Sequence, residues 1–390
     1  MPTPNAIAAA VDELSVELRD LRRDLHAFPE LAWHEERTTE AVTAMLEKGG
    51  VSYTRLNGSG AIAEVGSPGH PMVALRGDMD GLPLEDTTTD PWRSRIQGVA
   101  HACGHDVHTA SLVGAALALQ RLHTESPLPV RVRLLFQPAE EIMPGGAHKV
   151  IDADALDGVD RIFAIHCDPS VDVGRVGLRE GAITGACDSI RVRLTGRGGH
   201  TSRPHLTQDL TYALATLLTQ LPAALSRRLD PRAGASMVWG VVQAGNALNV
   251  IPSSGEIAGT LRMLDAAAWH EAEHLARTLI RELIAPYGVS ADVTYVRGVP
   301  PVVNDLACTG ALRRAVETTL GAGAVAAAGQ SLGGEDFAWY LERVPGAMGR
   351  LGTRTPGGPT YDLHQGSLRI DERAVDIGAK VLTAVAVDVM

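Results

Sequence analysis

The segment HACGHDVHTA places three histidines, one cysteine and one aspartate within eight positions, from His101 to His108. Thiolate and imidazole ligands suit zinc, cobalt or nickel, whereas a purely carboxylate set would favour magnesium or calcium. The chain has four cysteines and no C-x-x-C pair, which excludes a zinc finger. The segment therefore predicts a transition-metal site that uses Cys103 and His105, with His101 and His108 as supporting or surface residues.

Other polar side chains stand at the ends of apolar segments elsewhere in the chain. They are Asp78 and Asp80 in PMVALRGDMD (71–80), Glu140 and Glu141 in VRVRLLFQPAEE (130–141), His166 and Asp168 in RIFAIHCDP (161–169), and His364 in YDLHQGS. Taken singly, each has an ordinary explanation as a hydrogen-bonded or surface residue. Because one α/β sheet gathers the carboxyl ends of its strands at the same rim, we expect these groups to meet there.

Five of these side chains are candidate metal ligands: Cys103, His105, Glu141, His166 and His364. One tetrahedral site that keeps a water needs fewer ligands, so this set suits two metal ions with a shared ligand. Such a pair activates water and polarises a carbonyl. Adjacent side chains of an extended strand point to opposite faces. One of the two neighbouring glutamates is therefore expected to bind metal while the other serves as the general base.

The secondary-structure pattern shows which elements position these residues. Helix-like and strand-like segments alternate over residues 1–180, which predicts an α/β sheet with a helix over 107–123 and an amphipathic helix at the N-terminus. Residues 186–300 have the order β-α-β-β-α-β, which is typical of a ferredoxin-like unit. The α/β pattern then resumes, with helices predicted at 307–320 and 372–386.

A chain of 390 residues is long enough for two domains. The predicted fold is a catalytic α/β domain, residues 1–185 and 296–390, with a central sheet and helices on both faces. Inserted into it, over residues 186–295, is a ferredoxin-like α+β domain that would act as a lid or in dimerisation.

Composition narrows the range of partners. The net charge of −11 argues against nucleic acid, since phosphate binding requires a basic surface. No apolar segment approaches the roughly 18–20 residues of a membrane span. The N-terminus has no signal-peptide pattern. The sequence therefore predicts a cytoplasmic protein with neither a nucleic-acid nor a membrane partner.

Several segments together resemble the amidohydrolase branch of the M20 metallopeptidase family, which includes aminoacylases, hippurate hydrolases and auxin-conjugate hydrolases. The segments are LRRDLHAFPELAWHEERT (21–38), ALRGDMDGLPLED (74–86), HACGHDVHTA (101–110), LFQPAEE (135–141), AIHCDP (164–169), GRGGHTSRPH (196–205), NVIPSSGEIAGTLRMLD (249–265), GGEDFAWYL (333–341) and LHQGSL (363–368). The resemblance covers almost the whole chain, and the combination of CGHD, PAEE and a late LH is specific.

The resemblance implies roles for particular residues. It implies metal ligands at Cys103, His105, Glu141, His166 and His364, a general base at Glu140, and Asp80 as a support of the site. In the inserted domain it implies substrate contacts by His200, Asn249 and Arg262. Arg262 could hold a carboxylate in its planar fork, or it could be a surface arginine between strands. His200 could stabilise an oxyanion, or it could cap the glycine turn.

Three short segments depart from the family pattern. Gln365-Gly366 follows His364 where a small residue and then proline are commoner, Cys167 follows His166 where an apolar residue is usual, and Met263-Leu264 replaces threonine-phenylalanine. None of these removes a candidate ligand, so they concern the shape of the substrate pocket and not the chemistry.

The function that the resemblance implies is metal-dependent hydrolysis of the amide bond of N-acyl-L-amino acids, which releases a carboxylic acid and an amino acid. The alternative is a carboxypeptidase or dipeptidase with the same two-metal mechanism. A non-catalytic scaffold that kept the fold is a further alternative, although the retained Glu140 argues against it.

The expected cofactors are two divalent metal ions, with zinc first and cobalt, manganese or nickel as alternatives. The inserted unit leaves an exposed edge strand, and pairing with a symmetry mate is one way to cover such an edge. We therefore predict a homodimer through the inserted domain, in which His200 acts in its own site or in that of the partner.

Overall fold

The computed structural model describes residues 2–388. It divides into two compact units. Within the described residues, unit 1 covers 2–183, 303–329 and 336–388, and unit 2 covers 184–302 and 330–335.

The N-terminal part of unit 1 alternates helices and strands. Its helices are α1 (Pro4–Asp12), α2 (Ser15–Ala27), α3 (Glu36–Lys48), α4 (His105–Glu125) and α5 (Ala147–Ile151). Its strands are β1 (Ser52–Arg55), β2 (Ala61–Val65), β3 (Met72–Asp78), β4 (Arg131–Gln137), β5 (Val159–Asp172), β6 (Val176–Leu178) and β7 (Gly181–Ala182). The single amphipathic helix predicted at the N-terminus is wrong, because a turn after Asp12 divides it into α1 and α2.

Unit 2 has the predicted β-α-β-β-α-β order. Its strands are β8 (Ala186–Thr195), β9 (Gly199–His200), β10 (Ser236–Ala244), β11 (Val250–Ile251), β12 (Ser254–Met263) and β13 (Ser290–Val299), and its helices are α6 (Leu210–Arg228) and α7 (Ala266–Ile284). The sheet order β10-β12-β8-β13, antiparallel throughout, is the ferredoxin-like arrangement. Buried Asp188 accepts hydrogen bonds from Trp269 Nε1 (2.9 Å) and Tyr295 Oη (2.5 Å), which ties α7 to the sheet.

The C-terminal part returns to unit 1. It contains β14 (Val303–Asn304), α8 (Leu306–Leu320), β15 (Val325–Ala327), α9 (Ala338–Leu341), β16 (Gly346–Arg354) and α10 (Arg373–Ala386). The helices predicted at 307–320 and 372–386 correspond to α8 and α10.

The main sheet of unit 1 has the strand order β1-β2-β4-β3-β5-β16-β6-β15. Its centre, β4-β3-β5-β16, is parallel, and antiparallel pairs lie on either side. A parallel strand is normally covered on both faces, and β3 is accordingly buried at every position. The α4 helix is buried along most of its length and packs against α2 and α10. The predicted fold class is confirmed.

Within residues 2–388, no helix combines the length and the apolar character that crossing a membrane would need.

Candidate metal centre

The candidate centre starts at the first turn of α4. Gly104 precedes the helix with φ +88°, in the left-handed region that favours glycine. A Cβ atom at this position would lie 2.7 Å from the Cys167 Sγ, so the close packing here also requires glycine. This glycine turn places Cys103 immediately before the helix and His105 at its first position.

Asp80 organises three neighbouring groups of the centre. His105 Nδ1 lies 3.2 Å from Asp80 Oδ1, and because the carboxylate accepts, Nδ1 carries the proton. The same carboxylate accepts hydrogen bonds from the backbone N–H groups of Glu140 (3.0 Å) and Glu141 (2.9 Å). Nε2 is therefore the ring atom of His105 that would bind a metal, which is how carboxylates commonly orient ligating histidines.

Glu140 and Glu141 lie in a turn after β4 and not on the strand itself. Ala139, just before them, has φ +57°, which is unusual for a residue with a side chain. The turn brings both carboxylates near one ring atom: His105 Nε2 lies 3.7 Å from Glu141 Oε1 and 3.9 Å from Glu140 Oε2. The opposite-face argument for a strand therefore does not apply here, and the two glutamates share one neighbourhood.

His166 lies within β5, so its predicted place after the strand is wrong. Its Nδ1 lies 2.8 Å from the Cys167 carbonyl oxygen and donates to it, which leaves Nε2 to face the Cys103 Sγ at 3.5 Å. Burial and the positive charge of Arg350 hold the pKa of His166 well below its usual range. The imidazole is therefore neutral, the form that binds metals. Asp168, on the same strand, accepts hydrogen bonds from the N–H and Oγ of Ser170.

His364 completes the set from the C-terminal part of the chain. It has φ +60°, and its backbone N–H donates to the Ala102 carbonyl oxygen (2.7 Å). Its Nε2 lies 3.5 Å from Glu141 Oε1, and its side chain is 54% exposed. The structure thus brings all five predicted ligands together in unit 1.

The residues present fit a metal pair. The His105 Nε2 and Glu141 Oε1 atoms are buried and have no hydrogen-bond partner within the described chain. An orphaned buried polar atom typically costs about 1–3 kcal/mol, a cost that a bound cation would remove. Donor atoms within 4.8 Å of one another form overlapping groups: Cys103, His105 and His166; Cys103, Glu141 and His364; and His105, Glu140 and Glu141.

The pKa values of Cys103 and His105 are both raised, for different reasons. Burial and the Glu141 charge raise the pKa of Cys103 well above its usual value, so without a cation the thiol stays protonated. Burial alone would lower the pKa of His105, but Asp78 and the hydrogen bond to Asp80 outweigh it and raise that pKa. A metal must displace both protons, so its binding should weaken as the pH falls.

His108 and Asp78 support the candidate centre, whereas the sequence left open whether His108 is a supporting or a surface residue. His108 is buried, so the surface alternative is wrong for it, and the same holds for buried His101. The Nδ1 atom of His108 donates to Asp78 Oδ1 (2.6 Å), while its Nε2 accepts from the backbone N–H of Cys167 (2.8 Å). This link fixes the backbone beside His166. The spacing of His105 and His108, three residues apart on one helix face, was the available signal.

Asp336 was also missed as part of the support. Buried Arg76 donates to Asp78 Oδ2 (2.5 Å) and Asp336 Oδ1 (2.6 Å), and Gln137 Nε2 donates to Asp336 (2.7 Å). Asp336 also accepts from the backbone N–H of Ala147 (3.0 Å), beyond the glutamate turn. The network connects the ends of β3 and β4 behind the ligands.

The predicted substrate contacts all lie in unit 2. His200 and Asn249 are exposed neighbours, joined through the pairing of β9 with β11 and the hydrogen bond from Thr201 N–H to the Asn249 carbonyl oxygen. His200 Nδ1 accepts from the Ser202 N–H (3.1 Å), so its Nε2 carries the ring proton. Arg262 lies on β12 and donates to the Leu332 carbonyl oxygen.

A mixed sheet that carries thiolate, imidazole and carboxylate donors at one rim, beside a further glutamate, defines the class of metal-dependent hydrolases. The model of peptidase family M20/M25/M40 matches residues 74–388. The chain therefore belongs to this family, and both the predicted resemblance and the classification as a hydrolase are confirmed.

Individual relatives agree with this assignment. The N-acetyl-L-cysteine deacetylase of Bacillus subtilis (strain 168) is 36% identical over 365 residues, which cover 93% of this chain and 85% of that protein. The solved structure of the YXEP protein of Bacillus subtilis, described as a dinuclear metal binding peptidase from the M20 family, has a TM-score of 0.83 and 32% identity, and covers 96% of this chain and 98% of that one.

A third relative is longer than this chain. A protein of Rhodococcus jostii (strain RHA1), provisionally named a glutamate–cysteine ligase, is 50% identical over 369 residues. The match covers 94% of this chain but only 46% of that protein.

Proposed function

We propose that the chain hydrolyses the amide bond of N-acyl-L-amino acids with two divalent metal ions. The observation that carries the proposal is the gathering of five donor side chains beside Glu140, with His105 Nε2 and Glu141 Oε1 lacking a hydrogen-bond partner in the described structure. The name of the deacetylase relative, which acts on N-acetyl-L-cysteine, supports this substrate class. The ligase name of the longer relative does not transfer, since over half of that protein is unmatched.

In this proposal Cys103, His105, Glu141, His166 and His364 hold the metals. When bound, the metals polarise the acyl carbonyl and make the attacking water more acidic. Glu140 accepts a proton from that water as the water oxygen bonds to the acyl carbon. Glu140 then delivers the proton to the amide nitrogen as the C–N bond breaks, which gives a carboxylic acid and a free amine. Asp80 keeps His105 and the backbone of Glu140 in place.

The roles in unit 2 are part of the same proposal. His200 would donate a hydrogen bond from its Nε2–H group to the developing oxyanion, since Nδ1 already accepts from the Ser202 N–H. Asn249 and Arg262 would contact the substrate, with Arg262 recognising the carboxylate of the amino acid. The division into a catalytic domain (1–185 and 296–390) and a lid or dimerisation domain (186–295) stays a prediction.

The experiment is a substrate panel assayed with zinc, cobalt, manganese and nickel in turn. N-acetyl amino acids and benzoylglycine represent the proposed class, and dipeptides with a free amine represent the alternative of a carboxypeptidase or dipeptidase. The YXEP protein, described as a peptidase, supports this second candidate activity. Hydrolysis of the acylated substrates alone would support the proposal, and hydrolysis of the dipeptides alone would overturn it.

We also propose a homodimer through unit 2, with zinc as the working metal. Strand β10 lies at an edge of the unit 2 sheet, and Val238 and Val242 on it are exposed, as is Leu248 in the following loop. An exposed apolar edge favours pairing with a second copy. Sedimentation analysis should give a dimer that Val242→Arg dissociates. A monomeric wild-type protein would refute the dimer.

His200 has its own test within the dimer. A mixture of His200→Ala and Glu140→Gln subunits, each inactive alone, should recover activity after subunit exchange if His200 serves the partner's site. Mixed dimers that form and stay inactive would exclude this arrangement.

A further inference from the structure

Among the described residues, the non-glycine positions with left-handed backbone are Trp33, Ala139, Asp154 and His364. Such residues persist only when their surroundings hold them in place. Two of the four, Trp33 and Ala139, donate their backbone N–H groups to the same atom, Glu35 Oε1, at 3.1 and 2.7 Å. One carboxylate oxygen thus stabilises both unusual turns, and one of these turns immediately precedes the proposed general base.

Capping of helix α3 does not explain the position of the Glu35 side chain. It occupies the N-cap position of α3, yet its side chain makes no capping hydrogen bond. The carboxylate of Glu30 caps the helix instead, since it accepts hydrogen bonds from the N–H groups of Arg37 (3.1 Å) and Thr38 (2.8 Å) at the start of α3. The Glu35 carboxylate is fully buried and is directed at a segment 104 residues away in the chain.

The second oxygen of Glu35 is held as firmly as the first. Ser59 Oγ donates to Glu35 Oε2 at 2.6 Å. The neighbouring Gly60 N–H donates to Thr39 Oγ1 on α3 (2.8 Å), which links the segment containing Ser59 and Gly60 to that helix. Gly60 fits against the end of β4 so closely that a Cβ there would lie 2.9 Å from the Phe136 carbonyl oxygen. The carboxylate therefore has a fixed orientation.

We propose that Glu35 is a positioning residue for the hydrolytic reaction, which holds Ala139 in its left-handed conformation and thereby sets the place of the Glu140 carboxylate. Glu35 and Ser59 both precede residue 74, where the match to the family model begins. Asp80 fixes the amides of Glu140 and Glu141, and Glu35 fixes the preceding amide. Three successive N–H groups of the turn are thus held by two buried carboxylates.

The test compares Glu35→Ala with the matched control Glu30→Ala. Both remove a carboxylate of the same segment that accepts two backbone N–H groups, but only Glu35 reaches Ala139. The first readout is hydrogen–deuterium exchange of the peptide containing residues 139–141, measured on the metal-loaded protein. We expect exchange there to be about tenfold faster or more in Glu35→Ala, and unchanged in Glu30→Ala.

The second readout is kinetic and rests on the proposed function. Misplacement of a reacting group by about 1 Å can cost up to about 10²-fold in rate. We expect kcat of Glu35→Ala to fall about 10- to 100-fold, with KM and metal content close to the wild-type values. Glu35→Gln keeps an acceptor for both amides and should restore most of kcat. Ala139→Gly, added to Glu35→Ala, should restore part of it, because glycine adopts the left-handed region readily.

The outcomes separate the two proposals. Wild-type protein that hydrolyses no member of the panel would refute the proposed function, while the exchange measurement would still decide the role of Glu35. Unchanged exchange at 139–141 in Glu35→Ala, or equal losses of kcat in Glu30→Ala, would overturn the positioning role. If Glu35→Ala does not fold, Ser59→Ala takes its place, with a smaller acceleration of exchange expected and unchanged exchange counting against the proposal.

Discussion

Two turns of unit 1 each carry a candidate ligand, and they are held in different ways. The Glu140 turn (residues 138–141) is buried, and the carboxylates of Glu35 and Asp80 accept its successive N–H groups. The His364 turn (residues 363–366) is held by backbone contacts: His364 N–H donates to Ala102 O, and Thr87 N–H donates to Gly366 O. The His364 side chain is 54% exposed, whereas that of Glu141 is 9% exposed.

The difference assigns different tasks to the two turns. Buried, charged acceptors hold a backbone in one geometry because moving any N–H would leave a carboxylate unpaired. The Glu140 turn therefore has the rigid geometry that the proposed role of Glu140 as general base requires, because proton transfer demands accurate placement of the base. Among the described backbone contacts of the His364 turn, the carboxylate is the exposed one of Asp362, which accepts from the Leu363 N–H (2.9 Å). The exposed candidate ligand of this turn, His364, is the one best placed to adjust when metal binds or leaves.

The largest effect is expected from Glu140→Gln. The amide cannot accept the proton of the attacking water, so turnover should fall by about 10²–10⁴-fold. Metal content should stay at the wild-type level, because the five proposed ligands are untouched. Steady-state kinetics and elemental analysis of the same sample check both parts. Turnover near the wild-type value would show that Glu140 is not the base.

The second-largest effect is expected from Asp80→Asn, which removes a carboxylate that holds the Glu140 turn. The introduced NH2 group would replace either Oδ1, which accepts from His105 and the Glu140 N–H, or Oδ2, which accepts from the Glu141 N–H. Loss of such a supporting carboxylate typically costs about 10–100-fold in metal affinity or activity. Metal titration should show the loss. Affinity equal to that of the wild type would contradict the supporting role of Asp80.

The grouping of the candidate ligands could be predicted from the sequence because residue type carries the chemistry and strand ends converge on one rim. That reasoning located Cys103, His105, Glu141, His166 and His364, which the structure brings together. It misplaced His166 relative to β5, since the strand runs on to Asp172 and periodicity does not fix where a strand ends.

The supporting residues were harder to predict for a physical reason. Periodicity reveals which face of an element is buried, but it does not reveal which distant N–H a buried carboxylate meets. The contact of Glu35 with Ala139 depends on a left-handed alanine, for which the sequence has no marker. His108 had a marker, its spacing from His105, but its partner Asp78 depends on the packing of α4 against β3.

A smaller effect is expected at the His364 turn. A Cβ atom at Gly366 would lie 2.0 Å from the Glu85 carbonyl oxygen, so Gly366→Ala must shift the turn. Overpacking of this kind costs about 1–3 kcal/mol, part of which an exposed turn can relieve by moving. We expect metal affinity to fall by about tenfold or less. The control is Gly323→Ala, where a Cβ meets no atom within 4 Å. Equal affinities in both variants would mean that the turn does not depend on this contact.

The smallest effect is a difference in the pH dependence of stability between the wild type and Glu35→Gln. Burial raises the pKa of Glu35 above its usual value, although the hydrogen bond from Ser59 opposes the shift. Between the unfolded and folded pKa values the folded state binds more protons, so the free energy of unfolding falls as the pH rises. Each pKa unit of separation corresponds to about 1.4 kcal/mol. The wild type should therefore lose stability relative to Glu35→Gln from about pH 4.5 upward, until the folded pKa is passed.

Urea unfolding at a series of pH values measures the difference, and Ser59→Ala should extend the loss to higher pH. Parallel curves for the wild type and Glu35→Gln would show that this buried carboxylate costs the fold nothing when it ionises.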